Sequence, residues 1–487
     1  MKTISLKTPL YILISSLLVT QLFSGCKKFL DVNENPNNPS NASPELLLPT
    51  VEAAVGQLVG NNFQIYGNFW AQYWTQSPSS SQYRTIDQYR IANTAFDRSW
   101  SNLYRGALQN AQIIINSQEA GNAHIKGMAY VLKAYTFQLA TDAFGDIPLS
   151  EAVQGNQITS PRYEKQQVVY DSIFKFIDTG IAMLQSQGSS SPGSQDIIFQ
   201  SDISQWISFA RTLKLRAYLR LSEIQPELAA SGIAALYRDG GTFLQSDASI
   251  NYSATGGNEN PLYNEMLGLG RTQNIVASAT AVSAMRANAD PRLFKFYEPI
   301  AGSDTIAYIQ QGTYSSNTDK EVSPPSAIVG ANANNNVSAT SSVKLISLSE
   351  SYFLQAEAVA RGWAPGTVAT LFTSGIRSSF ETLSIASLAD AYISTAPDAQ
   401  LPGNAEGNIR AIITQKYYAM CGFQGFEAWT EWRRTGYPEF LRPSAASTIG
   451  GNRMPLRFLY PNSELTTNQN FPGTQLIYMP VWWDVDG

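Results

Sequence analysis

The chain has 487 residues, and its 33 Lys and Arg against 38 Asp and Glu give a formal net charge of −5. No block of basic residues occurs in it, which excludes nucleic acid as an expected partner. Charged residues make up only 15% of the chain and aromatic residues 11%, a composition that favours neutral ligands such as sugars or peptides.

The N-terminal segment has the pattern of a lipoprotein signal peptide. Lysines at positions 2 and 7 give a basic start, and residues 9–23 form a mostly apolar run of the length of a secretory signal core. Two small residues then precede Cys26, as at cleavage sites whose cysteine is acylated. We therefore predict that residues 1–25 are removed and that Cys26 carries lipid. The alternative is an ordinary secretory signal with a cysteine there by chance.

Cysteine content supports the lipid anchor and bears on the core. The chain has two cysteines, Cys26 and Cys421. If Cys26 is acylated, Cys421 has no partner for a disulfide within the chain. We expect Cys421 to be buried, where a free cysteine behaves as a small apolar residue.

The remainder of the chain is predicted to be mostly α-helical. Residues 26–44 are rich in Asn, Pro and Ser and are predicted to be a tether, followed by a single domain over 45–487. Apolar residues in this domain recur at helical spacing, and the predicted helices follow one another in pairs. The pairs cover about 98–142, 167–221, 343–383 and 405–434, which favours tetratricopeptide-like stacking. Individual helices are expected at 45–59, 275–288 and 343–361, among others.

A long irregular segment, residues 238–340, interrupts the helix pairs. It contains Gly240-Gly241, Gly256-Gly257 and a run of three Asn at 334–336, and residues 305–310 are its best candidate strand. Long ordered loops within a helical scaffold commonly carry function. The segment is therefore predicted to be a loop-rich lobe.

Motifs for catalysis and for cofactor binding are missing. The one histidine, His124, excludes a histidine-based metal centre or triad. Glu427 and Glu431 lie beside two Trp residues, as acids do in glycosidase sites. However, a spacing of four residues puts both carboxylates on one helix face, and Arg433 and Arg434 are expected to pair with them. We therefore predict a protein that is not an enzyme and holds neither metal nor cofactor. The alternative for the metal is a calcium ion bound by loops without a motif.

A series of short motifs runs through almost the whole mature chain. They occupy residues 26–32, 134–148, 206–216, 260–263, 290–293, 354–362, 425–438 and 483–484. The stretch 425–429, for example, reads Gly-Phe-Glu-Ala-Trp. Each motif is weak alone, but their order resembles that of the SusD/RagB family of nutrient-binding outer-membrane lipoproteins, and of its second SusD-like subgroup in particular.

This resemblance implies a stack of helix pairs with loops forming the ligand face. It also implies a partner, a SusC-like TonB-dependent outer-membrane transporter, on which the protein sits as a lid facing the cell surface. The expected function is to bind an oligosaccharide or an oligopeptide and deliver it to that transporter. A surface hydrolase of polysaccharide and a structural assembly protein without its own ligand are the alternatives.

Two loops, 74–89 and 258–274, are predicted to form the ligand face. Each combines aromatic with amide and guanidinium side chains that no regular period explains, and aromatic faces stack on sugars. Members of the resembled family bind ligands near comparable segments. The alternative is that the aromatic residues, Tyr263 above all, pack in the core. The predicted ligand-binding residues are Trp74, Gln76, Tyr83, Arg84, Asn258, Asn260, Tyr263, Arg271 and Asn274.

Overall fold

Helices make up most of residues 43–485, the part of the chain that the computed structural model describes. The predicted signal peptide, Cys26 and nearly all of the predicted tether lie outside the described residues. Within 43–485, no helix has the length and apolarity needed to cross a membrane. The helices are α1 (Pro44–Leu58), α2 (Gln64–Trp70), α3 (Arg84–Asp87), α4 (Asp97–Ser101), α5 (Gln109–Asn116), α6 (Ala123–Phe144), α7 (Gln166–Leu184), α8 (Ile203–Arg220), α9 (Pro226–Arg238), α10 (Pro261–Gly268), α11 (Ala279–Ala287), α12 (Leu293–Phe296), α13 (Leu348–Ala360), α14 (Val368–Thr382), α15 (Ala389–Thr395), α16 (Ala405–Met420), α17 (Gly425–Thr435) and α18 (Asn462–Thr467).

Short π-helical segments and strands complete the regular structure. The π-helical segments Val59–Phe63 and Asn102–Leu108 join α1 to α2 and α4 to α5. The strands form antiparallel pairs of two: β1 (Trp74–Gln76) with β5 (Ile275–Ala277), β2 (Ile147–Pro148) with β3 (Tyr163–Glu164), and β4 (Ala248–Ile250) with β6 (Val343–Ile346).

Helix α6 is the centre of the scaffold. Its side chains are buried on nearly every face from Ile125 to Phe144, because α1, α5, α7 and α8 all pack against it. Two glycines let α6 and α7 approach closely. A Cβ on Gly127 of α6 would lie 2.9 Å from the carbonyl oxygen of Gly180 on α7, so this contact tolerates no side chain.

The other helices continue the stack from α7. Helix α7 packs on α8, α8 on α9 and α13, and α13 on α14 and α16. Helix α16 then packs on α17. Helix α17 in turn contacts α2, near the beginning of the described residues. The predicted mostly α fold, with helix pairs as its scaffold, is confirmed. Cys421 at the end of α16 is free and fully buried, as predicted.

Two helices start later than the sequence predicts. The predicted helices 275–288 and 343–361 each begin as a strand, β5 and β6, and turn helical only after Ser278 and Ser347. Ser347 caps α13 by accepting a hydrogen bond from the Glu350 backbone nitrogen at 3.1 Å. At both positions the apolar residues of the strand are followed directly by those of the helix, so the sequence pattern reads as one longer helix.

The segment 238–340 contains more regular structure than predicted. Helices α10, α11 and α12 and strands β4 and β5 lie within it. The candidate strand 305–310 is wrong, because only Ile309 forms an isolated bridge, with Ser278. Helix α9, which begins with Pro226 in its first turn, was not predicted either.

We predict that Gly67→Ala destabilises the contact between α2 and α17. A Cβ at Gly67 would overlap the backbone nitrogen of Phe426, and a backbone atom cannot yield as a flexible side chain can. The free energy of unfolding measured with urea should fall by about 2 kcal/mol. Gly268→Ala is the helical control, since its Cβ would meet no atom within 4 Å. Equal stability of the two variants would contradict this close packing.

Candidate functional site

The two loops predicted to bind ligand lie side by side. In the antiparallel pair of β1 and β5, Trp74 is opposite Ala277 and Gln76 is opposite Ile275. Just beyond the strands, the Ser77 backbone nitrogen donates to the carbonyl oxygen of Asn274 at 2.8 Å. Asn274 also accepts a hydrogen bond from the Gln82 backbone nitrogen at 3.3 Å through its own side chain. The buried Asn274 thus joins the loops rather than facing solvent.

The aromatic residues of the first loop are buried. Trp74 is 0% exposed and Tyr83 is 6% exposed, and the Tyr83 ring packs edge-on against Phe69 at 5.8 Å. In this structure neither ring has an open face for stacking, so their placement agrees with the core alternative. The indole nitrogen of Trp74 and the hydroxyl of Tyr83 have no hydrogen-bond partner among the described residues.

The first loop is held by an internal hydrogen-bond network that the sequence did not reveal. Gln76 accepts from the Tyr83 backbone nitrogen at 2.6 Å and is itself buried. The carboxylate of Asp87 accepts from the Gln76 backbone nitrogen at 2.9 Å, from Thr75 Oγ1 at 2.7 Å and from Gln311 Nε2 at 2.5 Å. Burial raises the pKa of Asp87 to about 7, although these hydrogen bonds oppose the rise.

In the second loop, Asn260 and Tyr263 serve the start of α10. Asn260 is the N-cap, and its side-chain oxygen accepts from the backbone nitrogens of Leu262 at 2.9 Å and Tyr263 at 3.1 Å. The Tyr263 hydroxyl donates to Asn336 Oδ1 at 2.7 Å, and the ring is 3% exposed. Both residues are therefore engaged in local structure.

The exposed members of the predicted set are Arg84, Asn258 and Arg271. The guanidinium of Arg271 lies 5.7 Å from the centre of the Tyr263 ring, and that of Arg84 lies 5.2 Å from the Tyr314 ring. Asn258 donates to Ser253 Oγ at 3.1 Å. These three side chains present polar groups at the surface beside the paired loops.

A groove of about 420 Å³, which we call the α10 groove, runs along α10 in the second loop. Its polar lining consists of Gln57, Asn61, Arg98, Asn264 and Glu265. Burial raises the pKa of the Tyr83 hydroxyl, and the nearby charge of Glu265 raises it further. Glu265 lines the groove, so the groove lies next to the first loop.

The walls of the α10 groove come from remote parts of the chain. Gln57 lies on α1, Asn61 in the π-helical segment after it, and Arg98 on α4. Asn61 has a non-helical backbone conformation and donates to the carbonyl oxygen of Pro261 at 3.2 Å, which links this segment to α10. Sequence analysis missed all three residues, because each lies in a stretch that looks like ordinary helix.

Comparison with known proteins assigns the family. The family model described as "Starch-binding associating with outer membrane", the second SusD-like family, matches residues 36–461. The chain belongs to this SusD-like family. The resemblance inferred from the sequence motifs is thus confirmed. No curated protein sequence matches the chain.

Solved structures of SusD homologues have the same fold as this SusD-like chain. A chitin-binding SusD homologue from Flavobacterium johnsoniae is 24% identical, with a TM-score of 0.75 over 90% of this chain and 99% of that chain. A SusD homologue from Bacteroides uniformis is 23% identical, with a TM-score of 0.77 over the same shares. At this level of identity the likeness establishes the fold.

The acid pair Glu427 and Glu431 of this SusD-like chain lies in a buried ion network. Arg220 of α8 binds both carboxylates and also contacts Asp142 Oδ2 at 3.3 Å. Arg434 pairs with Glu431 at 2.7 Å, as predicted. The predicted role of Arg433 is wrong: it donates to the carbonyl oxygens of Asp142 at 2.8 Å and Leu456 at 2.9 Å. Both acids therefore serve the scaffold.

The charge states in this network follow from its cations. Although burial opposes the shift, Arg434, Lys416 and Arg220 hold the pKa of Glu431 well below its usual range. The general acid of a glycosidase must carry a proton to donate. Glu427 and Glu431 both have lowered pKa values, so neither is protonated for that role. Among the described residues, no group of His, Cys, Asp and Glu is arranged to hold a metal ion.

We predict that Arg220→Met strongly destabilises the protein. The change leaves Asp142, Glu427 and Glu431 buried without their shared counter-ion, and breaking a buried pair costs ~3–5 kcal/mol. Urea denaturation followed by circular dichroism measures the loss. Arg162→Met is the control: it removes an ion pair with Glu151 in which the arginine is 73% exposed, so stability should change little. Similar effects of the two substitutions would refute the role of Arg220.

Proposed function

We propose that this SusD-like protein binds an oligosaccharide at the bacterial surface and passes it to a SusC-like TonB-dependent outer-membrane transporter. The observation that carries the proposal is the family match over residues 36–461, to a family described as starch-binding and associated with the outer membrane. The fold shared with a chitin-binding homologue supports a glycan ligand. An oligopeptide is the other ligand class that the sequence left open.

The α10 groove has the chemistry of a saccharide site. Its amide, guanidinium and carboxylate groups can donate to and accept from sugar hydroxyls, and a volume of about 420 Å³ falls within the range of small-molecule sites. Arg84, Asn258 and Arg271 extend this polar surface on the paired loops. We assign the buried members of the predicted set a supporting role: Trp74, Gln76, Tyr83, Asn260, Tyr263 and Asn274.

The groove favours binding over hydrolysis. Glycoside hydrolysis generally uses two carboxylates on opposite sides of the scissile bond. Glu265 is the only carboxylate in the groove lining, and the pair Glu427 and Glu431 is buried in ion pairs. The α10 groove therefore does not supply the pair of carboxylates that a hydrolase would use. Delivery of an intact ligand is the function we propose.

We predict that Asn264→Ala and Arg98→Ala each weaken saccharide binding about tenfold. Each change removes hydrogen-bonding groups from the α10 groove, and ~1.5 kcal/mol corresponds to one strong neutral hydrogen bond from Asn264 or to a modest charge-assisted one from Arg98. Isothermal titration with chito-oligosaccharides, malto-oligosaccharides and mixed oligopeptides measures the affinities. Arg377→Ala, which removes the exposed ion pair between Arg377 on α14 and Asp390 on α15, is the control and should bind as the native protein does.

The ligand panel also separates the alternatives. Binding of peptides but no saccharide would replace the glycan with a peptide ligand. Release of reducing sugars that the Glu265→Gln variant no longer produces would favour the hydrolase. Native affinity in both groove variants would move the site away from α10, and a protein that binds none of the ligands yet copurifies with its transporter would favour the assembly role.

We also predict that Cys26→Ala releases the protein from the membrane fraction. Acyl chains contribute ~0.8 kcal/mol per buried CH₂, and anchoring becomes stable with more than one chain. Fractionation of cells and immunoblotting measure the distribution, with Ser24→Ala as a control that keeps the cysteine. Retention of the Cys26→Ala variant in the membrane would contradict a lipid anchor at this residue. Protease treatment of intact cells tests whether the protein faces outward.

A further inference from the structure

Lys133, on α6, is a buried cation without a counter-ion. The residue is 9% exposed, and its ammonium group donates to Gln112 Oε1 at 2.6 Å. The same group lies 4.4 Å from the centre of the Phe176 ring. Lys133 makes no ion pair with any residue between 43 and 485. Burying an ammonium group with neutral partners alone is costly, so this position calls for a physical explanation.

The Lys133 side chain lines a cavity of about 540 Å³, which we call the Lys133 cavity. The cavity lies between α5, α6, α7 and the segment after β2. Its polar lining consists of the amides of Gln112, Asn116 and Gln154, whose NH₂ groups can still donate, and of the hydroxyls of Ser150 and Ser172. These two hydroxyls already donate to Glu164 and to the carbonyl oxygen of Val168, so they are left to accept. Among the described residues of this lining, Lys133 is the one that carries a charge.

The acidic residues near the cavity lie outside its lining. Glu164 accepts from the backbone nitrogens of Leu149 at 2.7 Å and Ser150 at 3.0 Å. Glu151 pairs with Arg162, outside the cavity lining. On α7, the exposed Asp171 and Lys175 flank the lining residues without belonging to them. Glu164 also accepts from the hydroxyl of Ser150 at the cavity wall, and none of these acids forms an ion pair with Lys133 within residues 43–485.

We propose that the Lys133 cavity binds the carboxylate or sulfate group of an acidic saccharide. The ammonium group supplies the charge, while the surrounding amides and hydroxyls can bond both the anion and the sugar hydroxyls. The volume suits one or two sugar units. This site is separate from the α10 groove and does not rest on the function proposed for it.

A neighbouring cavity gives a longer ligand room to extend. It has a volume of about 640 Å³ and shares Gln109, Gln154 and Gly155 with the Lys133 cavity. The half-buried Tyr104 lies in its wall and supplies aromatic surface, which suits sugar rings. The acidic sugar unit would occupy the Lys133 cavity and the adjoining neutral unit this second space.

The test compares cellobiouronic acid with cellobiose, its neutral counterpart, by isothermal titration. The native protein should bind the acid at least tenfold more tightly than the neutral sugar. Lys133→Met keeps the length of the side chain and removes its charge, so it should abolish this preference. Lys175→Met removes an exposed lysine of α7 with the same change in net charge and should retain the preference. Equal binding of both sugars by the native protein, or an unchanged preference in Lys133→Met, overturns the proposal.

Two further measurements keep the test decisive if Lys133→Met folds poorly. Burial lowers the pKa of Lys133 to about 8, so the affinity of the native protein for the acid should be level below that pH and fall about tenfold per pH unit above it. An affinity that does not vary through this range counts against Lys133. Inorganic sulfate is the second probe: if it binds as tightly as cellobiouronic acid, the cavity is a site for free anions and the saccharide is refuted.

Discussion

The scaffold depends on the buried ion pairs that the guanidinium of Arg220 forms with three carboxylates. Arg220 lies at the end of α8, is fully buried, and reaches Asp142 on α6 and both Glu427 and Glu431 on α17. Three helices that are distant in sequence must therefore meet in one register, because each buried acid that lost this partner would keep its desolvation penalty. Burial raises the pKa of Asp142 even against the opposing charge of Arg220, because this carboxylate is almost completely removed from solvent. Such a network contributes little net stability but permits few alternative packings.

The ion network is connected by packing to the paired loops 74–89 and 258–274. Helix α17, which carries two of the acids, packs on α2, and the chain passes from α2 through a short turn into β1. The buried charges on α17 are thus linked to the first loop through α2. The second loop follows through the pairing of β1 with β5.

Sequence reasoning predicted the scaffold better than the ligand face, for a physical reason. Long helices reveal themselves by period, and the family motifs lie mainly on them. Trp74 and Tyr83 in a polar loop looked exposed, yet the loop folds back on Asp87 and buries both rings. The sequence around Asp87 contains no signal that Gln311, 224 residues later in the chain, completes the hydrogen bonds of this carboxylate. The walls of the α10 groove were missed likewise, because a groove between remote helices has no sequence period of its own.

The pairing of β1 with β5 has a consequence for how the protein is made. The hydrogen bond from Gln82 to Asn274 joins residues 192 positions apart. A ribosome adds ~5–20 residues per second, so the first loop waits roughly 10–40 s before its partner strand exists. During that interval Trp74 and Tyr83 lack the partner loop that completes their surroundings, and the edge of β1 is open to other chains. The paired loops 74–89 and 258–274 are therefore a part of the fold that cannot be completed until the chain has been made as far as β5.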